Sequence, residues 1–250
     1  MSTALKPSPS IVTLGSAGRR REGLRRTLLA CGILSSLLYG TIIWMIRYKG
    51  YSPTSQTVSE LSAWGVSTRS LWVVLGSVYT VLIVAFGSGV VASARERRAM
   101  RVAGWLLVAY GSLGLLWPFA AMHQRHVLAL GGTSVADTGH LTLAATTIVL
   151  MFAAMAFGAA ARKGWFALYS IVSMAILLAF GGLTTSFTSK VQANLPTPML
   201  GVWERIDIGV FLLWVVVLAV ALWREGELPT TMAPGDRRRS RPLTSGPPRP

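Results

Sequence analysis

In this 250-residue chain, nine acidic residues and three histidines stand against twenty-four basic ones. The groups that can ligate or move a proton gather in four short stretches. Glu60 lies in SELSAWG (59–65), His123, Arg125 and His126 in WPFAAMHQRH (117–126), Asp137 and His140 in DTGH (137–140), and Glu204, Arg205 and Asp207 in 200–223. Imidazole nitrogens and carboxylate oxygens are zinc ligands. His123, Asp137, His140 and Glu204 are therefore candidate ligands for zinc or manganese, and Glu60, His140 and Glu204 candidate catalytic acid–base groups for metal-assisted hydrolysis of a lipid or ester. Neither an HExxH run nor a serine-nucleophile motif accompanies them. Without a metal, the eight residues Glu60, His123, Arg125, Asp137, His140, Glu204, Arg205 and Asp207 make ion pairs, or receive a lipid headgroup, a small solute or a proton.

Several of these residues also have local roles. Thr57-Val-Ser-Glu60 fits a capping box, with Leu61 and Trp64 resting a short helix on the membrane interface and Gly65 ending it. Asp137 suits the N-cap of the helix that follows, which puts His140 in its first turn. His123 and His126, three apart, can share a helical face. Glu204 and Asp207, also three apart, share another, while Arg205 points about 100° away and answers a neighbouring element.

The elements that must position these groups are set by hydropathy. Half the residues, 52%, are hydrophobic, and they collect into runs of about twenty, the length that crosses a hydrocarbon core of about 30 Å. The runs are 27–46, 71–92, 102–122, 141–161, 164–183 and 206–223. The fold class is all-alpha: a six-transmembrane-helix bundle over 27–224, flanked by disordered cytoplasmic tails, basic over 1–26 and Arg/Pro-rich over 225–250.

Charge sets the expected orientation. Eighteen of the twenty-four basic residues fall in the two tails and the second and fourth connections, five fall in the opposite connections, and Arg205 sits inside the last rim. This is the positive-inside pattern, with both termini cytoplasmic in a plasma (inner) membrane. The basic residues need only anionic lipid headgroups, so membrane lipids are the implied partners and nucleic acid is not. Glu22, Glu96, Glu225, Glu227 and Asp236 lie among them and read as ordinary surface. Every histidine and the other four acids fall at the opposite, external rim.

Small residues predict packing. Gly32, Ser36 and Gly40 recur every four positions and invite close approach of a neighbour, and the same kind of surface suits another chain or a second copy. Span four, rich in Ala and Thr, reads as a central helix, and Pro118 should bend or stop span three near Trp117. The single cysteine, Cys31, excludes structural disulfides within the chain.

The segments SELSAWG, WPFAAMHQRH, DTGH and GVWERI (201–206) resemble the recurrent motifs of a bacterial and archaeal family of six-span membrane proteins, domain of unknown function 998. The resemblance covers about residues 25–224. It implies the six-span fold and draws attention to Ser59, Glu60, Met122, His123, Arg125, Asp137, His140, Glu204 and Arg205, and it implies no activity. Three roles fit the rim residues: a structural cap in which Arg125 and Arg205 meet carboxylates, a binding or transport site for a lipid or small solute, and a hydrolase. An accessory or assembly subunit is a further alternative.

Overall fold

In lipid a long apolar run satisfies its backbone only as a helix, and all six runs do so. The computed structural model describes residues 9–225. The candidate spans are α1 (Pro9–Met45), α2 (Arg69–Ser93), α3 (Arg98–Leu113, continued by a 3-10 segment, Gly114–Phe119), α5 (Val135–Ala161), α6 (Trp165–Ser186) and α8 (Leu200–Glu225), all long and apolar enough to cross a membrane. Two short helices, α4 (Arg125–Ala129) and α7 (Thr188–Gln192), and a 3-10 turn, Ser59–Ser62, lie in the connections. Pro118 sits inside the 3-10 continuation of α3, where the missing N–H would break an α-helical bond.

The expected tails fare differently. The Arg/Pro-rich segment 226–250 lies outside the described residues. Helix α1 begins at Pro9, so the stretch 9–26 is helical where a disordered tail was expected. Around Glu22 the helix is supported by ion pairs to Arg25 and Arg26, one turn on.

The spans pack as a closed ring in the order α1, α2, α3, α5, α6, α8 and back to α1, with a lesser contact between α2 and α8. Glycines set the tightest approaches. A Cβ on Gly32 would lie 2.5 Å from the Phe86 ring, and one on Gly87 or Gly104 would lie 2.8 Å from the backbone of the facing helix. Ser36 donates to the Leu212 carbonyl at 3.0 Å, so the small-residue stripe of α1 seats it between α2 and α8.

Helix α5 is not the central element that its Ala and Thr content suggested. Its apolar window is 22% buried against 50% for α8. In a ring no helix is surrounded, and the small residues of α5, including Ala144, Ala145 and Thr147, instead line a cavity.

The two ends of the ring differ. One end, the basic end, carries the α2–α3 and α5–α6 turns and the C-terminus of α8, and its interior is filled by Phe86, Phe166, Trp214, Leu218 and Met155, all at or near zero exposure. Trp214 donates its indole N–H to Ser170 at 2.9 Å and fits over Gly158, where a Cβ would lie 2.7 Å from its ring. Glu225 closes this end by bridging Arg97, at 2.7 Å, and Arg162. Reading Glu225 as ordinary surface missed this junction. The other end, the loop end, carries the connections 46–68, 120–134 and 187–199.

Candidate functional site

Every rim residue singled out by the sequence lies at the loop end, but they divide between a clasp and a cavity. The clasp starts at Glu60. Its carboxylate accepts the Thr57 N–H at 2.7 Å while its own N–H donates to Thr57 Oγ1 at 3.3 Å, the reciprocal pattern of a capping box. The 3-10 turn ends at Ser62 with Ala63 as its C-cap, two residues before Gly65, expected to end it, which stands at φ +82°. Leu61, expected on the membrane interface, is fully buried; the turn is pressed into the protein because Glu60 has a second partner. Arg125 grips Glu60 with two 2.7 Å bonds, and its remaining donors reach Thr197 Oγ1 and the Ser55 carbonyl. Charge-assisted, two-pronged contacts of this kind fix geometry as well as energy. They tie three connections together.

Arg205 meets no carboxylate at ion-pair distance among the described residues. The expectation that it pairs with an acid is replaced by a different use. Its guanidinium donates to the carbonyls of Ile43 (3.1 Å), Pro53 (2.9 Å) and Gly201 (2.8 Å) and to Tyr51 Oη (2.7 Å). It is 3% exposed. Five fixed N–H groups suit such a cluster of carbonyls from α1, α8 and the first connection, which a lysine could not span. Burial pushes the Tyr51 phenol up to about 12, so at neutral pH it keeps its proton, accepts from Arg205 and donates to the Thr57 carbonyl at 2.9 Å. Gly201 makes the crossing possible, since a Cβ there would lie 2.3 Å from the carbonyl oxygens of both Pro53 and Gln56. Glu204 completes the contact by accepting the Val58 N–H.

Asp137 and the histidines form a separate knot. The N-cap of α5 is Ser134, not Asp137; Asp137 is the acidic partner three residues on and accepts the Ser134 N–H at 2.9 Å. The same carboxylate accepts the His123 N–H and pairs with its Nδ1, both at 2.8 Å, so it links the α3–α4 connection to the start of α5. His140 lies deeper, with Nδ1 3.0 Å from the Ala120 carbonyl and its ring edge-on to Trp117. His126 is exposed on α4 while His123 precedes that helix, so the two do not share a helical face. Among the described residues, no three His, Cys, Asp or Glu side chains converge as a metal site.

Beneath the clasp the ring is hollow. A cavity of about 680 Å³ is bounded by residues of all six spans, and Glu204 and Asp207 both line it, on the face of α8 turned away from the Arg205 contacts. Asp207 is 9% exposed, and its Oδ1 is buried with no hydrogen-bond partner among the described residues. The same holds for Oγ1 of Thr184, on the neighbouring helix α6. Buried polar atoms normally have partners; these two are unmet on one cavity lining.

The family model described as protein of unknown function (DUF998) matches residues 29–221, from within α1 to within α8. The chain belongs to this family. No curated protein and no solved structure matches it. This DUF998 protein is thus a multi-pass integral membrane protein whose site must be argued from its own residues. Sequence reasoning passed over three of them. Tyr51 and Thr197 carry the clasp with neutral side chains, which give no charge signal. Arg69, counted only as a rim charge, donates to the carbonyls of Ser62 and Pro118 and lies 3.8 Å over the Trp64 ring. For this DUF998 protein only the Arg-beside-aromatic pattern, Trp64 and Arg69 in one connection, hinted at it.

Proposed function

We propose that the protein binds a lipid or small solute in the loop-end cavity, as a binding or transport protein of a prokaryotic cytoplasmic membrane with both termini cytoplasmic. The carrying observation is the unpartnered Asp207 carboxylate on a cavity of about 680 Å³. That volume lies within the roughly 300–1,000 Å³ of small-molecule sites, and ionisable groups kept at membrane depth are as a rule used. The clasp of Arg125 and Arg205 serves as the structural cap that fixes the connections over this site. The orientation rests on the eighteen-to-five distribution of basic residues. A reporter fused after Gly131 should read outside and one after Lys163 inside, and the reverse would overturn the orientation.

The binding reading is tested in lipid nanodiscs with three probes of one shape, 4-phenylbutan-1-ol, 4-phenylbutylammonium and 4-phenylbutanoate. At least one should bind saturably to the wild-type protein, beyond its partition into empty nanodiscs, and lose that binding in Ala144→Trp, which fills the cavity. Binding of none, or equal binding to the filled variant, would sink the reading.

A further inference from the structure

Taking the cavity as a ligand site, we infer that it selects an organic cation, an amphipathic amine or quaternary ammonium, whose charged head sits between the Asp207 carboxylate and a wall of tyrosines. Five ionisable side chains of opposite signs line the cavity: Arg69, Asp137, His140, Glu204 and Asp207. Arg69 is engaged with two carbonyls and the Trp64 ring, and Asp137 with Ser134 and His123. His140 has Nδ1 against the Ala120 carbonyl, and Glu204 holds the Val58 N–H. Arg205, the nearest other cation along the helix, spends its donors on carbonyls and Tyr51. Among the described residues, the buried carboxylate oxygen of the lining that has no hydrogen-bond partner is Asp207 Oδ1. It is an acceptor, and it is anionic when the ligand brings the balancing charge. A lone carboxylate in such a place is otherwise costly.

The wall around it fits the same ligand. Tyr39 lies 5.9 Å from Trp72 and 4.6 Å from Tyr79 between ring centroids, and the hydroxyls of Tyr79 and Tyr110 share a 2.8 Å hydrogen bond. Phe211 continues the line, 5.1 Å from Tyr110. These rings line the same cavity as the Asp207 carboxylate, and aromatic rings bind an ammonium through their negative faces in addition to its attraction to a carboxylate. An anionic headgroup would meet two carboxylates on α8 and, among the described residues lining the cavity, no free cation. A metal ion would need more converging ligands than are present among the described residues. Gly181 leaves the approach bare: a Cβ there would lie 3.6 Å from Asp207 Oδ1, so any larger side chain would begin to cover the carboxylate.

The test uses the same three probes at neutral pH, in nanodiscs of zwitterionic phosphatidylcholine, by isothermal titration. The ammonium should bind about tenfold or more tightly than the alcohol, and the carboxylate more weakly than either. Asp207→Asn keeps the shape and removes the charge; the preference should fall below about threefold while the alcohol still binds. Gly181→Leu keeps the charge and covers it, and should lose the ammonium preference in the same way, which guards against a folding defect peculiar to one variant. Equal binding of alcohol and ammonium to the wild type, tighter binding of the carboxylate, or a preference that survives both variants would overturn cation selectivity and leave the cavity as a site of another kind. Binding of no probe would overturn both readings.

Discussion

The two halves of the helical ring use the same materials to opposite ends. At the basic end Trp214, Phe166 and Phe86 are buried in one core, glycines admit the large rings, and Glu225 bolts the helix ends together. At the loop end Tyr39, Tyr79 and Tyr110 stand around empty space, and the bolts join the connections to one another through Arg125 and to α8 and α1 through Arg205. Both halves are rich in aromatics and both contain ion pairs, so neither composition nor charge tells them apart. What separates them is how the interior is filled. At the basic end Trp214 closes over Gly158 and its indole meets the Ser170 hydroxyl, whereas at the loop end Asp207 and Thr184, on the neighbouring helices α8 and α6, line a hollow in which Asp207 Oδ1 and Thr184 Oγ1 have no hydrogen-bond partner among the described residues. Arg162 Nε and Tyr169 Oη at the basic end are likewise unmet, but neither lines that cavity. The packed half holds the fold and leaves the other half free to stay hollow.

Substitutions can break that division. The largest effect should come from Trp214→Ala, which opens a void in the packed half and should cost about 3–5 kcal/mol in unfolding measured in mixed micelles. A loss under about 1 kcal/mol would mean that the basic end is not the stabilising half. Next comes Arg125→Met in the clasp. It strands Glu60, whose side chain is 3% exposed, and should cost about 3 kcal/mol, partly recovered when Glu60→Gln is added. Failure of the second change to recover anything would show that the pair does not act as a unit.

Glu225→Gln is a smaller case. Its partners are partly solvent-exposed, the carboxylate side chain itself at 32%, so a loss of about 1 kcal/mol is expected, diminishing in high salt. A larger, salt-independent loss would make the bolt as important as the packing. The smallest effect sharpens the contrast. Thr184→Val replaces a hydroxyl whose oxygen has no partner, so stability should stay within about 0.5 kcal/mol of wild type or rise. A clear destabilisation would mean that the cavity wall is held by contacts of its own.

What the sequence made legible follows the same division. The six spans, the break at Pro118 and the stripe of Gly32 and Ser36 were readable because hydropathy and small-residue spacing are local signals. Residues 9–26 were misread because the Glu22, Arg25 and Arg26 pairs that support a helix there looked like a merely basic tail. Asp137 was placed at the N-cap because Ser134, three residues earlier, is the less conspicuous of two suitable residues. Arg205 was expected to find an acid because side chains can be read from sequence, whereas the carbonyls of Ile43, Pro53 and Gly201 carry no label. The cavity was invisible for a related reason: it is defined by where six helices fail to meet, and no single stretch encodes that.

The crossing of residues 53–56 over Gly201 bears on biogenesis. The first connection emerges between α1 and α2, yet the residues that hold it down, Gly201, Glu204 and Arg205, belong to the last of the six spans. During synthesis from the N-terminus, Arg125 can meet Glu60 and the Ser55 carbonyl once α4 is made, but the stretch 53–56 lacks its anchors on α8 while four further helices enter the membrane. The packed half waits for the same helix, because Trp214, Leu218 and Glu225 belong to it. Insertion of α8 therefore completes the ring, its packing and its lid in one event, so a chain arrested before residue 201 would have most of its helices, an unfilled basic end and a roof held only from α4.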